Sequence, residues 1–101
     1  MRIIRSLKLR DDLTETALYI ADDNPDAADR FLLACDATFE RIRQRPHIGR
    51  VFLPEKLKDV RIWFVKDFPK YIILYKVLDD AVYIVRVIHS SRDIEAVLTI
   101  N

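Results

Sequence analysis

Two runs near the C-terminus, residues 71–78 and 81–88, are apolar at almost every position and are separated only by Asp79-Asp80. β-branched and aromatic residues fill both, and a turn of two acidic residues between them makes an antiparallel pair of strands. A strand with one wet face alternates with polar residues, whereas one that is apolar on both faces must be covered on both. Counted by strict alternation, Val82, Ile84 and Ile88 fall on one face and Tyr83, Val85 and Val87 on the other. The chain therefore needs material on both sides of a sheet. Val60 to Val65 supplies a further strand, with Phe68-Pro69 near the turn that follows it.

The cover for one side lies upstream. Residues 2–7 are a short apolar segment interrupted by arginines and read as a strand. From about 9 to 22, Leu9, Leu13, Ala17, Ile20 and Ala21 recur at helical spacing. Asp11 and Asp12 sit in the first turn, where carboxylates suit the positive end of the helix dipole. Asn24-Pro25 restarts the chain, with Asn as cap and Pro at the first helical position. A second helix runs from about 25 to 44 on the stripe Ala28, Phe31, Leu32, Cys35, Phe39 and Ile42. Arg41, Arg43 and Arg45 gather at its negative pole. The short joint predicts an antiparallel helical hairpin. Pro46 to Arg50 ends the second helix, with Gly49 free to take positive φ, and 51–59 is a connector. The reading is one α+β domain over 1–101, in the order β-α-α-β-β-β, with a small, mostly antiparallel sheet. The hairpin covers one face and Ile94 to Ile100 covers part of the other; the rest calls for a partner.

Composition narrows the chemistry. Half of the 101 residues are hydrophobic and a third are charged, a balance that folds and does not stay disordered. Seventeen basic against 16 acidic residues give a net charge of +1, so no basic excess marks a phosphate-gripping protein. One glycine excludes a Gly-rich phosphate loop. Cys35 stands alone, and only His47 and His89 accompany it, so neither a disulfide nor a metal centre nor any other cofactor is expected. The N-terminus lacks the long apolar run of an export signal, and no run approaches a bilayer span, so the cytoplasm is the expected location.

Few side chains invite chemistry. His89 closes a strand and is followed by Ser90, Ser91, Arg92 and Asp93. It has the makings of a general base, or it simply bonds Asp93 or the backbone, with Asp93 also pairing Arg92. Arg86 lies in an apolar strand and must be paired or wet. It reads either as a contact to a target or partner carboxylate, or as an ion pair with Asp59, Asp67 or Glu55. Three positions apart on a regular strand, Arg86 and His89 face opposite ways. Trp63, Phe64 and Phe68 read as core, with binding anchors as the alternative. Lys66 and Lys70 read as solvated turn lysines, His47 as a loop residue and Cys35 as an inert core thiol. No Ser-His-Asp constellation or nucleophile elbow is present.

The succession of motifs resembles a known family. Asp12-Leu13 leads to Tyr19-Ile20-Ala21, then Asn24-Pro25-x-Ala27-Ala28-x-Arg30-Phe31, then Arg45-Pro46-His47-Ile48-Gly49-Arg50. Tyr71-Ile72-Ile73-Leu74-Tyr75 then precedes Val85-Arg86-Val87-Ile88-His89-Ser90-Ser91-Arg92-Asp93. This order is similar to the ParE-like branch of the RelE/ParE toxins, the plasmid stabilization proteins, from about residue 3 to 95. The resemblance implies a helical hairpin on a small sheet. It also implies a toxin that is no enzyme but poisons DNA gyrase by binding it, and that is neutralised by a ParD-like antitoxin whose disordered tail folds over it. No membrane and no sequence-specific nucleic acid enter this reading. The surfaces expected to serve are Arg86, His89, Arg92 and Asp93 for the target, and Trp63, Phe64, Tyr71 and Tyr75 for the antitoxin. The alternative is a RelE-like ribosome-dependent mRNA endoribonuclease, with His89 and Arg86 as its catalytic residues. Many such relatives carry Arg three residues before the strand tyrosine, where this chain has Ile72, and some carry Tyr after the histidine, where it has Ser90. Both differences remove polar groups that RNA cleavage would use.

Overall fold

The structure, a computed structural model, describes residues 1–52 and 59–99. Its elements are β1 (Arg2–Arg5), α1 (Leu9–Asp23), α2 (Pro25–Gln44), β2 (Arg50–Val51), β3 (Val60–Val65), β4 (Phe68–Val77), β5 (Ala81–His89) and α3 (Ile94–Thr99). The five strands form one sheet in the order β1-β5-β4-β3-β2. The expected α+β order is present. Two elements join it that the sequence reading did not contain: the short edge strand β2, and a C-terminal helix where only a covering segment was foreseen. Neighbours pair antiparallel, except that β1 runs parallel to β5, from Arg2 opposite Ala81 to Arg5 opposite Ile84.

Local chemistry accounts for the joints. Asn24 caps α2 by accepting the Ala27 N–H on Oδ1 at 3.1 Å, and Pro25 takes the first helical position. Lys8 precedes α1 without capping it. The Ser6 hydroxyl oxygen instead accepts the Leu9 N–H at 3.1 Å. Lys66-Asp67 makes the β3–β4 turn, where Asp67 adopts φ 67°. Thr38 of α2 ties this turn down: its hydroxyl accepts the Lys66 N–H at 3.1 Å and donates to the Ala34 carbonyl at 2.7 Å. Phe68-Pro69 lies inside β4, which begins three residues earlier than the sequence reading placed it.

The sheet is buried on both faces. Leu9 of α1 and Phe31, Cys35, Phe39 and Ile42 of α2 pack on Val65, Ile73, Tyr75, Val82, Ile84 and Val87. On the far side Val97 of α3 packs with Val60, Ile62, Ile72, Leu74 and Ile88. Removing a side chain as large as Phe31 from the first cluster costs about 3–5 kcal/mol. The strict alternation expected along β5 is broken. Leu74 pairs with Arg86 but Tyr75 pairs with Ile84, which leaves Val85 as an extra residue, a β-bulge. The bulge puts Val87 on the hairpin side with Val82 and Ile84, and Ile88 on the α3 side.

Gly49 also differs from expectation, since no glycine has positive φ. Its need is for space. A Cβ there would lie 2.5 Å from the Tyr75 hydroxyl and 2.8 Å from the Ile62 carbonyl. That hydroxyl accepts the Gly49 N–H at 2.8 Å and donates to the Pro46 carbonyl at 2.7 Å, fastening the segment after α2 to the sheet.

The surface left apolar is also not the one expected. Among the described residues, the sheet positions facing α3 are mostly covered. The large exposed apolar side chains lie chiefly on the helices and the segment before them: Leu7, Leu18, Tyr19, Leu32 and Leu33.

Candidate functional site

β1 stops at Arg5, so β5 beyond Ile84 has a bare edge, which α1 closes. The Ser6 hydroxyl donates to the Val85 carbonyl. Asp12, one turn into α1, accepts the Val87 N–H on Oδ2 at 3.1 Å. The same carboxylate takes Arg86 in a two-pronged grip, Nε to Oδ2 at 2.7 Å and Nη2 to Oδ1 at 2.8 Å. The Asp12 side chain is 6% exposed and that of Arg86 15%. Such geometry satisfies both charges and replaces the water each has lost. Asp12 therefore does more than complement the helix dipole, and the ion-pair partner of Arg86 is none of those expected. Asp59 pairs with Lys76 at 3.4 Å, Asp67 forms the β3–β4 turn, and Glu55 lies outside the described residues. The hydrogen bonds that Arg86 donates to Asp12 hold the guanidinium charge even more firmly than usual.

Asp12 also lines a cleft of about 560 Å³ between α1 and the adjoining ends of β4 and β5, whereas Arg86 lies outside it, toward Val97 and Leu98 of α3. Glu15, Thr16 and Tyr19 form its helical wall; Lys70, Tyr71, His89, Ser91 and Arg92 form the other. His89 does not bond Asp93. Its Nδ1 meets the Ser91 hydroxyl at 2.8 Å and accepts the Ser91 N–H at 3.1 Å. An accepting Nδ1 places the ring proton of the neutral imidazole on Nε2. Asp93 is occupied as well, since its Oδ1 accepts the Ala96 N–H at 3.2 Å at the start of α3. The imidazole meets Tyr71 edge-on, with centroids 5.3 Å apart. Tyr71 in turn packs on Phe31 at 5.1 Å, and Phe31 on Phe68 at 5.4 Å, so an aromatic ladder joins the rim to the core. Desolvation first, and the neighbouring Tyr19 second, raise the Tyr71 phenol above its ordinary range. Lys70 and Arg92 are exposed and have no ion pair among the described residues.

The four aromatics expected to meet an antitoxin do not share a surface. Tyr75 is wholly buried, because alternation along β4 turns it with Ile73 toward the helices; it anchors the segment after α2 and is withdrawn from that role. Tyr71 belongs to the cleft. Trp63 is half-buried and Phe64 is 49% exposed; both line a groove of about 600 Å³ with Ala37, Arg41, Lys66 and Pro69 at the outer end of β3. The feature that sequence reasoning missed is Asp12. The one available signal was a carboxylate in the first turn of α1, in a chain whose apolar fifth strand carried a cation that needed a partner.

The architecture defines a class: a helical hairpin on a five-stranded sheet closed by a C-terminal helix. It is shared with a chain of the chromosomal ParDE toxin–antitoxin system from P. aeruginosa, at a TM-score of 0.71 and 17% identity, over 88% of this chain and 95% of that one. It is also similar to the solution structure of HP0894 from Helicobacter pylori, at a TM-score of 0.57 and 14% identity over 91% and 97% of the two chains. Sequence then narrows the class. Residues 3–94 match the family described as ParE toxin of the type II toxin–antitoxin system, parDE, and the chain belongs to that family. Toxin ParE2 of Mycobacterium tuberculosis (strain ATCC 25618 / H37Rv) is 36% identical over 90 residues, 88% of this chain and 81% of the relative. Putative toxin Y4kP of Sinorhizobium fredii is 33% identical over 97 residues, 96% of each.

Proposed function

We propose that this chain is the growth-inhibiting member of a type II toxin–antitoxin pair, that it acts in the cytoplasm by binding and poisoning DNA gyrase, and that a ParD-like antitoxin neutralises it. In this proposal such a pair serves plasmid stabilization. The observation that carries this reading is the family match over residues 3–94. Two local features favour binding over RNA cleavage. Arg86 is held by Asp12 on two prongs, and Ile72, where many nuclease relatives carry Arg, is buried under α3. The exposed cations Lys70 and Arg92, with His89 beside them, form the contact surface in this proposal.

The cleft gives the ribonuclease reading its own support. An imidazole with Nε2 directed away from Ser91, two cations without an ion pair among the described residues and two phenols line one cavity, and these are groups that acid–base cleavage of RNA uses. Expression without antitoxin, followed by pulse labelling of DNA, RNA and protein, separates the two. Early loss of DNA synthesis with filamentation is expected. Immediate loss of protein synthesis with cut transcripts would move the function to ribonuclease.

A further inference from the structure

The outer edge of the sheet, along β3, gathers positive charge that the net charge of +1 conceals. Arg41 of α2 and Lys66 of the β3–β4 turn stand over the groove of about 600 Å³ that holds Trp63 and Phe64. Arg45 follows Arg41 by one helical turn. Arg50 lies opposite Ile62 on β2, and Arg61 donates from Nη1 to the Gly49 carbonyl at 2.7 Å. Arg61 is half-buried and the other four are exposed; none of the five has an ion pair among the described residues. The acids near them are mostly spent. Glu40 is held by Arg43, Asp36 by Arg5 and Asp59 by Lys76, which leaves Asp67, among the described residues, as the carboxylate without an ion pair beside the groove. Asp22, Asp23, Asp26 and Asp29, which offset the total, stand at the joint between the helices and the start of α2.

The backbone of this edge has little left to give. Phe52 donates to the Val60 carbonyl at 2.7 Å, so by alternation Val60, Ile62 and Phe64 turn their N–H and C=O groups outward. β2 covers the edge as far as Ile62, and beyond it the Lys66 N–H is bonded to the Thr38 hydroxyl. Phe64 alone is bare, too short a run for an added strand, which takes about three residues or more. A ligand there is met by side chains, cations and two rings. The Trp63 and Phe64 rings lie 6.1 Å apart at a tilt of 51°, and Phe64 is 49% exposed. Cations that follow a phosphate chain, beside aromatic faces that take unpaired bases, are what a groove for a single strand needs. A duplex keeps its bases stacked on one another, and an acidic peptide has no bases to lay on the rings. We propose that this groove binds single-stranded nucleic acid without sequence preference. Its phosphates lie on Arg41, Arg61 and Lys66, with Arg45 and Arg50 extending the track, and a base stacks on Phe64. From Arg61 to Lys66 the edge spans about 17 Å, room for about four nucleotides. The site is separate from the cleft of His89 and does not depend on which target that cleft meets.

Trp63 is the chain's only tryptophan, so its emission reports on the groove. Titration with an oligonucleotide of about ten thymidines should quench it saturably, with a Kd in the micromolar range at about 50 mM salt. About four phosphate contacts make the affinity fall about 50-fold between about 50 and about 200 mM salt. Arg41→Ala with Lys66→Ala, both at exposed sites, should weaken binding about tenfold or more and flatten the salt dependence by about half, since about half of the contacts are gone. Phe64→Ala should weaken binding about fivefold or more and leave the salt dependence unchanged, because it removes a base contact and no phosphate contact. Circular dichroism spectra of the variants should match the parent. The matching RNA should bind within about threefold, as neither kind of contact uses the 2′-hydroxyl. No quenching up to about 1 mM oligonucleotide overturns the proposal. So does a duplex, or an acidic peptide of equal charge, that binds as tightly as the single strand; the second result makes the groove a protein-docking surface. Binding lost in Arg92→Ala but kept in Arg41→Ala with Lys66→Ala places the strand in the cleft and overturns it too.

Discussion

Arg86 and Arg92 lie six residues apart at the same end of the sheet, yet they do opposite things. Arg86 is gripped by Asp12 outside the cleft, with little of it reaching water. Arg92 stands on the rim, exposed and without an ion pair among the described residues. The difference comes from what each replaces. Arg86 and Asp12 finish a strand edge that β1 leaves open, so their charges belong to the fold. Arg92 finishes nothing, so its charge is available to another molecule. Both are arginines beside an apolar strand, and composition alone ranks them equally.

The largest effect expected from breaking this contrast is on the buried pair. Asp12→Ala strands a guanidinium and the Val87 N–H, and should lower stability by about 3–5 kcal/mol. Arg86→Ala should do comparable harm by leaving the carboxylate unpaired, while Asp12→Leu with Arg86→Leu should recover much of the loss. Urea unfolding midpoints measure all three, and additive losses would show that the two residues do not act as a pair. A smaller effect sharpens the contrast between interior and rim. Burial raises the Cys35 thiol from 9.0 to about 12, with Asp36 adding to the shift. Above pH 9 the unfolded chain releases this proton while the folded chain keeps it, so stability should fall between pH 9 and 12, by up to about 1.4 kcal/mol per pH unit. Cys35→Ala should remove that part of the alkaline loss, and alkaline curves that coincide for the two proteins would contradict it. The smallest effect on stability belongs to Arg92→Ala, within about 0.5 kcal/mol. It should nevertheless relieve growth inhibition on expression without antitoxin, and full toxicity from a stable Arg92→Ala protein would remove the rim from the contact surface.

Much of this fold was legible because periodicity and caps are local. Asn24-Pro25 marks the joint between the helices, and the stripe from Ala28 to Ile42 marks the buried face of α2. The strand Val60–Val65 begins and ends with its apolar run, and Ala81–His89 begins with its run and ends one residue past it. What escaped was set by distant neighbours. The Val85 bulge is invisible in a run that is apolar on both sides, so face assignment by alternation fails after it. Gly49 is required by a hydroxyl 26 positions away, and Asp12 is spoken for by a guanidinium 74 positions away. The candidate site was half legible. His89 and Arg92 do line one cleft, but Arg86, Asp93 and Tyr75 have structural partners that only the folded chain brings near.

The parallel pairing of β1 with β5 bears on how the protein is made. Arg2 finds its place only beside Ala81, so the first strand to leave the ribosome must wait for the last. At about 5–20 residues per second that wait lasts seconds, during which the hairpin and the central strands are out but the sheet is unfinished. Since Asp12 can grip Arg86 only after β5 is out, the buried pair beside the cleft is among the last parts of this domain to form.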